Sequence, residues 1–315
     1  MLLEKVTSDC APLDPADDGR HPLPNEPLAR ESLVFCIELP EEQLAFWVYP
    51  RVTGDGLAGG TVCAFGPAVE GGSIFESFRN IPVPDTADFV DWDAGGVRLK
   101  LPDPLRRAEV SFTGERISTE FTFDAIHPAY SYASHPDGCP PYFALNRFEQ
   151  GGKVKGWIKV DGREYRFDGI GQRDHSWGTR NWGVNYHYKW FHATREDMSV
   201  HFFKMEYLGR HLIRGYVFKD GHMSQITDVN VIDFELDADM IHKAIEVSIK
   251  DQAGRTTQVT GAYFGHRVYP IDELNILNEV AMTTVIDGRP AVGWCEFYWD
   301  SRYLDHMKKF PELRR

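Results

Sequence analysis

A period of two runs through most of this chain and constrains its fold more than any other feature. Val97, Leu99 and Leu101 alternate with polar neighbours, as do Ile117, Thr119, Phe121 and Phe123. The same spacing recurs at Val154, Gly156, Ile158 and Val160, at Ile245, Val247 and Ile249, at Val280, Met282, Thr284 and Ile286, and at Val292, Trp294, Glu296 and Tyr298. Alternation of this kind marks strands with two unlike faces. Asp-Gly pairs at 161–162, 220–221 and 287–288 separate such runs, and they predict hairpins, because a type I′ turn needs two residues at positive φ. Helical spacing is scarce; Ser301 to Phe310 is the one stretch that predicts a short terminal helix. The expected fold is therefore all-β, with antiparallel hairpins that must curl into barrels or sandwiches to hide their edges.

Length then sets the number of units. At 315 residues, two consecutive β domains are expected rather than one giant sheet. Pro12, Pro15, Pro22, Pro24 and Pro27 make residues 1–28 an arm. A boundary near Gln150-Gly151-Gly152 places one domain at 29–150 and the other at 151–315. Charge changes there too: the first 150 residues carry 11 basic against 24 acidic residues, and the remainder 23 of each. A net charge of −13 argues against nucleic acid or an anionic membrane as partner. No run of apolar residues is long enough for an integral membrane segment. The five cysteines are widely spaced and form no C-x-x-C, the usage of a reducing cytoplasm. A homodimer is one assembly open to such a chain.

Nine of the 12 histidines and six of the eight tryptophans fall after residue 150, and one segment concentrates them. Residues 168–192 read DGIGQRDHSWGTRNWGVNYHYKWFH. Asp168-Gly169 and Gly171 predict a strand ending in a tight bend, followed by Arg173-Asp174-His175-Ser176-Trp177 on a loop. Asp174 beside His175 can fix its tautomer and make it an acid or base near neutrality. Arg173 can pair with a carboxylate and support the site, and Trp177 offers a π face to a cation. In extended geometry Arg173, His175 and Trp177 share one face, and Asp174 and Ser176 the other. The competing reading is a structural corner tied by Arg173–Asp174. Tyr186, Tyr188, Trp190 and His192 share a face that packs a barrel core or lines a pocket. No G-x-S-x-G supports a serine hydrolase, and the absence of H-E-x-x-H, with His187, His192, His201 and His211 scattered, predicts no metal.

The stretch Gly169 to Trp182 resembles the R-D-H-x-W-G signature of the AttH/carotenoid 1,2-hydratase-like superfamily. The resemblance implies two lipocalin-like (calycin) domains and a greasy pocket near their junction, approached by the signature loop. It implies His175 and Trp177 as site residues. The family's downstream Tyr-x-Asp pair has no clear match; the comparable strand offers Glu206 and Tyr207 in another arrangement. The functional expectation is a cofactor-independent enzyme acting on a hydrophobic unsaturated small molecule, such as a terpenoid, steroid or polyketide. Hydration, dehydration, isomerisation and cyclisation all fit, with Trp182, Tyr188 and Trp190 bounding the substrate. The alternative is a non-catalytic lipocalin-like carrier, favoured if the cavity is purely apolar and His175 points away from it.

Overall fold

The computed structural model describes residues 3–314; residues 1, 2 and 315, at the outer ends of the expected arm and C-terminal domain, lie outside them. Strand makes up 63% of the chain and helix 7%, so the all-β expectation holds. The three Asp-Gly pairs form the hairpin turns expected of them, with positive φ at both residues: 48° and 83° at 161–162, 55° and 71° at 220–221, and 48° and 79° at 287–288. The terminal helix is Ser301–Lys308, where the Asp300 carboxylate accepts hydrogen bonds from the Arg302 and Tyr303 amides. No helix among the described residues is long and apolar enough to cross a membrane.

The strands form two sheets, each wrapped around its own core. The first begins at Ser73–Pro82 and runs through Leu57–Phe65, Leu44–Thr53 and Ala29–Leu39. It then crosses to Arg163–Thr179 and Asn146–Val160 before continuing through Ile117–Ala125, Arg107–Thr113 and Val97–Asp103 to Asp91–Ala94. Phe35, Phe46, Trp92, Leu99, Phe121 and Ile158 fill it. The second sheet runs from His187–Arg195 to Arg289–Asp300, and the ladder between His222–Leu236 and His242–Asp251 closes it into an eight-stranded barrel. Phe191, Phe202, Val247, Val259 and Met282 fill that barrel. A third apolar layer joins the outer faces of the two sheets and includes Trp47, Phe65, Trp190, Phe203, Tyr216 and Trp294.

Two expectations are corrected here. The sheets part between Thr179 and His187, not at Gly151, because Asn146–Val160 is a single unbroken strand of the first sheet. Gly151 is a close-approach residue: a Cβ there would meet Ser199 Oγ at 2.8 Å and Thr194 Cγ2 at 3.0 Å, both on the second barrel. At Gly152 it would strike the Phe123 ring at 2.4 Å. Gly151 thus marks where the two sheets touch, and Gly152 makes room for a core ring of its own sheet. Likewise Asp168-Gly169 and Gly171 make no terminal bend; Arg163–Thr179 is one 17-residue strand with the signature in its second half.

Candidate active site

The signature strand sits centrally in the first sheet, between Asn146–Val160 and Ala29–Leu39. Its register opposes His175 to Phe148 and Leu33, Asp174 to Glu149 and Val34, and Ser176 to Arg147 and Ser32. Directly opposed residues in an antiparallel pair share a face. The parity expected from sequence therefore holds, with Arg173, His175 and Trp177 on one face and Asp174 and Ser176 on the other. The two faces look onto different environments.

The His175 face is sealed by the N-terminal arm. Arg173 donates from Nη1 and Nη2 to the two oxygens of Asp18 at 2.9 and 3.0 Å, and from Nε to Gln150 Oε1 at 2.9 Å. His175 is fully buried, with Nε2 2.8 Å from Glu31 Oε1, and His21 Nδ1 reaches the same oxygen at 2.7 Å. The His21 ring stacks on Trp177 with centroids 3.7 Å apart. Two roles assigned from sequence are corrected: Asp174 does not orient His175, since the two point to opposite sides of one strand, and Arg173 pairs with Asp18 rather than Asp174. Neither His175 nor Trp177 lines the cavity that lies between the two sheets. We expect His175→Ala to lower thermal stability while turnover per folded molecule stays within a few-fold. A loss of turnover with unchanged melting would contradict that.

Burial would raise the Glu31 carboxyl, but hydrogen bonds from His175 and His21 outweigh it and hold the group below its usual range. Burial would lower His21, but its hydrogen bond to Glu31 outweighs that and raises it above 6.5. A group with a raised folded pKa contributes its stability in full below the unfolded value and loses it as pH rises through the folded one. Melting temperature should therefore decline as pH climbs above 6.5, and His21→Gln should flatten that decline. His21 Nδ1, Glu31 and His175 Nε2 also lie within 4.8 Å of one another, a donor set of the kind that holds a transition metal. Their distances are equally those of two imidazoles hydrogen-bonded to one carboxylate oxygen. His192 and His201 instead approach separate carboxylates, Glu38 at 3.1 Å and Glu149 at 3.4 Å, and His211 is exposed.

The Asp174 face opens on a cavity of about 390 Å³ between the two sheets. Trp182, Tyr188 and Trp190 line it, joined by Trp294, Trp47 and Tyr49. Tyr188 stacks on Tyr298 at 5.1 Å. Glu206 and Tyr207 lie outside it, at the hairpin end of Met198–Tyr207, where Tyr207 packs on Tyr142 and Glu206 approaches His211. The two residues expected to bound the substrate therefore have no part in the wall of this cavity.

Arg147, Asp174, Glu279 and Glu296 line the cavity, and Glu149 stands behind its wall. Arg147 donates from Nε to Glu149 Oε1 and from Nη2 to Asp174 Oδ2, each at 2.7 Å, so one cation serves two carboxyls. Burial alone would raise Glu149, but Arg147 and the Trp190 indole N–H, 2.9 Å away, hold it low. Asp174 is pushed up to about 7, chiefly by burial and further by the charge of Glu149, with Arg147 opposing. Glu279 and Glu296 face each other across adjacent strands. Burial, with the charge of Glu296, raises Glu279 well above the usual carboxyl range. Trp294 Nε1 donates to Glu279 Oε2 at 2.7 Å, and the Tyr188 hydroxyl donates to Glu296 Oε1. Two carboxyls this close favour the neutral form of the more deeply buried one, here Glu279. Sequence reasoning missed Arg147, Glu149, Glu279 and Glu296. Glu296 had left one signal, as the acidic member of the apolar alternation Val292, Trp294, Glu296, Tyr298.

Two lipocalin-like β units with a polar-centred cavity at their junction define the class of this protein. The chain belongs to the family described as Domain of unknown function (DUF7064), whose model matches residues 14–301. No curated protein matches it. Among solved structures, a putative AttH from Nitrosomonas europaea is similar at 16% identity and a TM-score of 0.63, over 91% of this chain and 96% of that one. CghA, solved with Sch210972, is similar at 12% identity and 0.60, over 86% and 88%. Kievitone hydratase from Nectria haematococca is similar at 10% identity and 0.56, over 92% and 93%. The fold of the AttH/carotenoid hydratase-like superfamily is thus the fold of this chain.

Proposed function

We propose that this protein is an enzyme that moves protons on a hydrophobic unsaturated substrate, in a hydration, dehydration, isomerisation or cyclisation, and that the cavity between the sheets is its active site. The carrying observation is the Glu279–Glu296 pair, two carboxyls facing each other across adjacent strands and walled by Trp47, Trp190 and Trp294, with Glu279 held well above the usual carboxyl range by burial and by its neighbour's charge. Buried carboxyls cost stability unless they serve a purpose, and a carrier of neutral lipid has no use for them. That His175 points away removes one reason to expect chemistry, but the cavity is not the purely apolar one a carrier would favour. A hydratase among the proteins of this fold supports the same reading.

In the hydration direction the Glu279 O–H bond breaks as a C–H bond forms at one alkene carbon. The cation left at the other carbon is met by aromatic faces and the Glu296 carboxylate. Water adds there, and its surplus proton passes to an ionised carboxylate, Glu296 or Asp174. Dehydration reverses these steps. Loss of a different proton from the cation gives an isomer; attack by a second alkene closes a ring and moves the cation, which then loses a proton to the same carboxylate. Each route begins with a neutral acid and ends at a base, both supplied by the chain.

Asp174, raised to about 7, should place an inflection in the pH dependence of kcat/KM near neutrality, and Asp174→Asn should remove it. Its folded pKa lies above the unfolded 3.8, so its ionisation should erode stability as pH rises from about 4 to about 7. Incubating the protein with a lipid extract of its producing cell, followed by mass spectrometry, tests the function. A product differing from an input by water, or by isomerisation, is expected; recovery of every input unchanged would favour the carrier.

A further inference from the structure

The walls of the cavity change character along its length. On Leu44–Thr53 the side chains facing it run Trp47, Tyr49, Arg51 and Thr53, from buried aromatic to half-buried cation. Arg30 lies across from Thr53 on the adjoining strand. Arg79 is exposed and Arg180 is buried, and both line the same cavity. With Arg147, which is paired to Glu149 and Asp174, five arginines line this one cavity, an unexpected gathering in a chain of net charge −13.

Their partners make the point sharper. Eleven arginines among the described residues, Arg147 of this cavity included, have a carboxylate within 4.0 Å. Arg30, Arg51, Arg79 and Arg180 have none and share this cavity, whereas the others without one, Arg20, Arg163, Arg210, Arg214 and Arg267, lie outside it. Arg180 instead donates to the Phe143 carbonyl at 3.2 Å and to Ser176 Oγ at 2.6 Å, its guanidinium 4.3 Å from the Phe143 ring centroid. Arg30 donates to the Tyr49 hydroxyl, and its buried Nε has no partner. Gly59 opposite Arg51 has no side chain, and a Cβ there would lie 3.3 Å from Arg51 Nε, in the space the guanidinium uses. Burial would raise the Tyr49 hydroxyl, but Arg30 and Arg180 outweigh it and lower it, a mark of the positive potential there. Like charges gathered without counterions repel one another, and an anion binding among them relieves both the repulsion and the unmet hydrogen bonds.

We propose that this end of the cavity binds an anionic group, a carboxylate or phosphate monoester, carried at one terminus of the hydrophobic substrate. The guanidiniums would hold the anion towards solvent and lay the apolar body along Trp47 and Trp294 towards the carboxyl pair, fixing which carbon meets the acid. This inference rests on the reading of the cavity as the substrate site.

Three probes of one chain length test it: linoleic acid, linoleyl alcohol and linoleyl phosphate, each titrated by tryptophan fluorescence at low salt. The acid or the phosphate should bind about tenfold or more tightly than the alcohol, and whichever leads identifies the anion. Arg51→Gln and Arg79→Gln, checked for unchanged melting, should remove most of that preference while leaving the alcohol within about twofold. Equal binding of alcohol and anions, equal weakening of all three by the substitutions, or no binding of any probe would overturn the inference. The proton chemistry is judged separately. Glu279→Gln should keep the anion preference whatever it does to turnover, and a neutral substrate turned over with intact arginines would defeat this inference alone.

Discussion

Replacing Glu279 with glutamine is expected to reduce turnover by roughly 10²–10⁴-fold, the range for loss of a general acid, while apolar ligands bind within a few-fold. Glutamine keeps the volume and can still accept from the Trp294 indole N–H, 2.7 Å away in the native protein. It has no proton to give to carbon. Glu296 stands across the ladder and its charge helps keep Glu279 neutral. Glu296→Gln should therefore let Glu279 ionise at lower pH and shift the alkaline limb of the rate profile to lower pH, whereas Glu279→Gln should lower the whole profile. Steady-state kinetics on the product-forming substrate, beside melting curves for each variant, separates a chemical loss from an unfolding one. Equal losses in the two variants, tracking stability, would assign both residues to packing.

The second large effect is on stability and lies at the arm. Asp18 is fully buried and takes both Arg173 hydrogen bonds, and it also accepts from the Leu105 amide at 2.5 Å. Asp18→Ala leaves an unpaired guanidinium in an apolar site, a change that costs about 3–5 kcal/mol. Melting temperature should fall by roughly 10 °C. Removing both charges, as Asp18→Ala with Arg173→Met, should recover much of the loss, because a buried pair is costly mainly when half of it is left behind. Additive losses in the double variant would show that the arm is held by other contacts. Turnover per folded molecule should change little in either variant, since the pair lies across the strand from the cavity.

Much of this architecture is legible in the alternation. Period two fixes which neighbours of His175 share its side of the strand, and the Asp-Gly pairs locate three turns. Parity says that two faces exist, but not which of them meets the second barrel. That depends on strand order, and Ala29–Leu39 is brought beside Arg163–Thr179 across more than 120 intervening residues. The signature drew attention to its histidine, whereas its aspartate reaches the cavity. Glu149, Glu279 and Glu296 look like solvated acids in the sequence because what covers them comes from the meeting of the two sheets. Gly151 misled for a related reason: close approach between sheets and a flexible joint both call for a residue without a side chain.

The most direct test of the central claim is solvent deuterium incorporation. The protein is incubated in D₂O with the lipid extract, and any product is examined by mass spectrometry and NMR for a new C–D bond. An acid that protonates an alkene in a hydration must place solvent hydrogen on carbon. The account predicts product carrying deuterium at carbon with the native protein and at most traces with Glu279→Gln. Deuterated product formed equally by both proteins, or ligand recovered without deuterium from native protein that binds it, would contradict the claim.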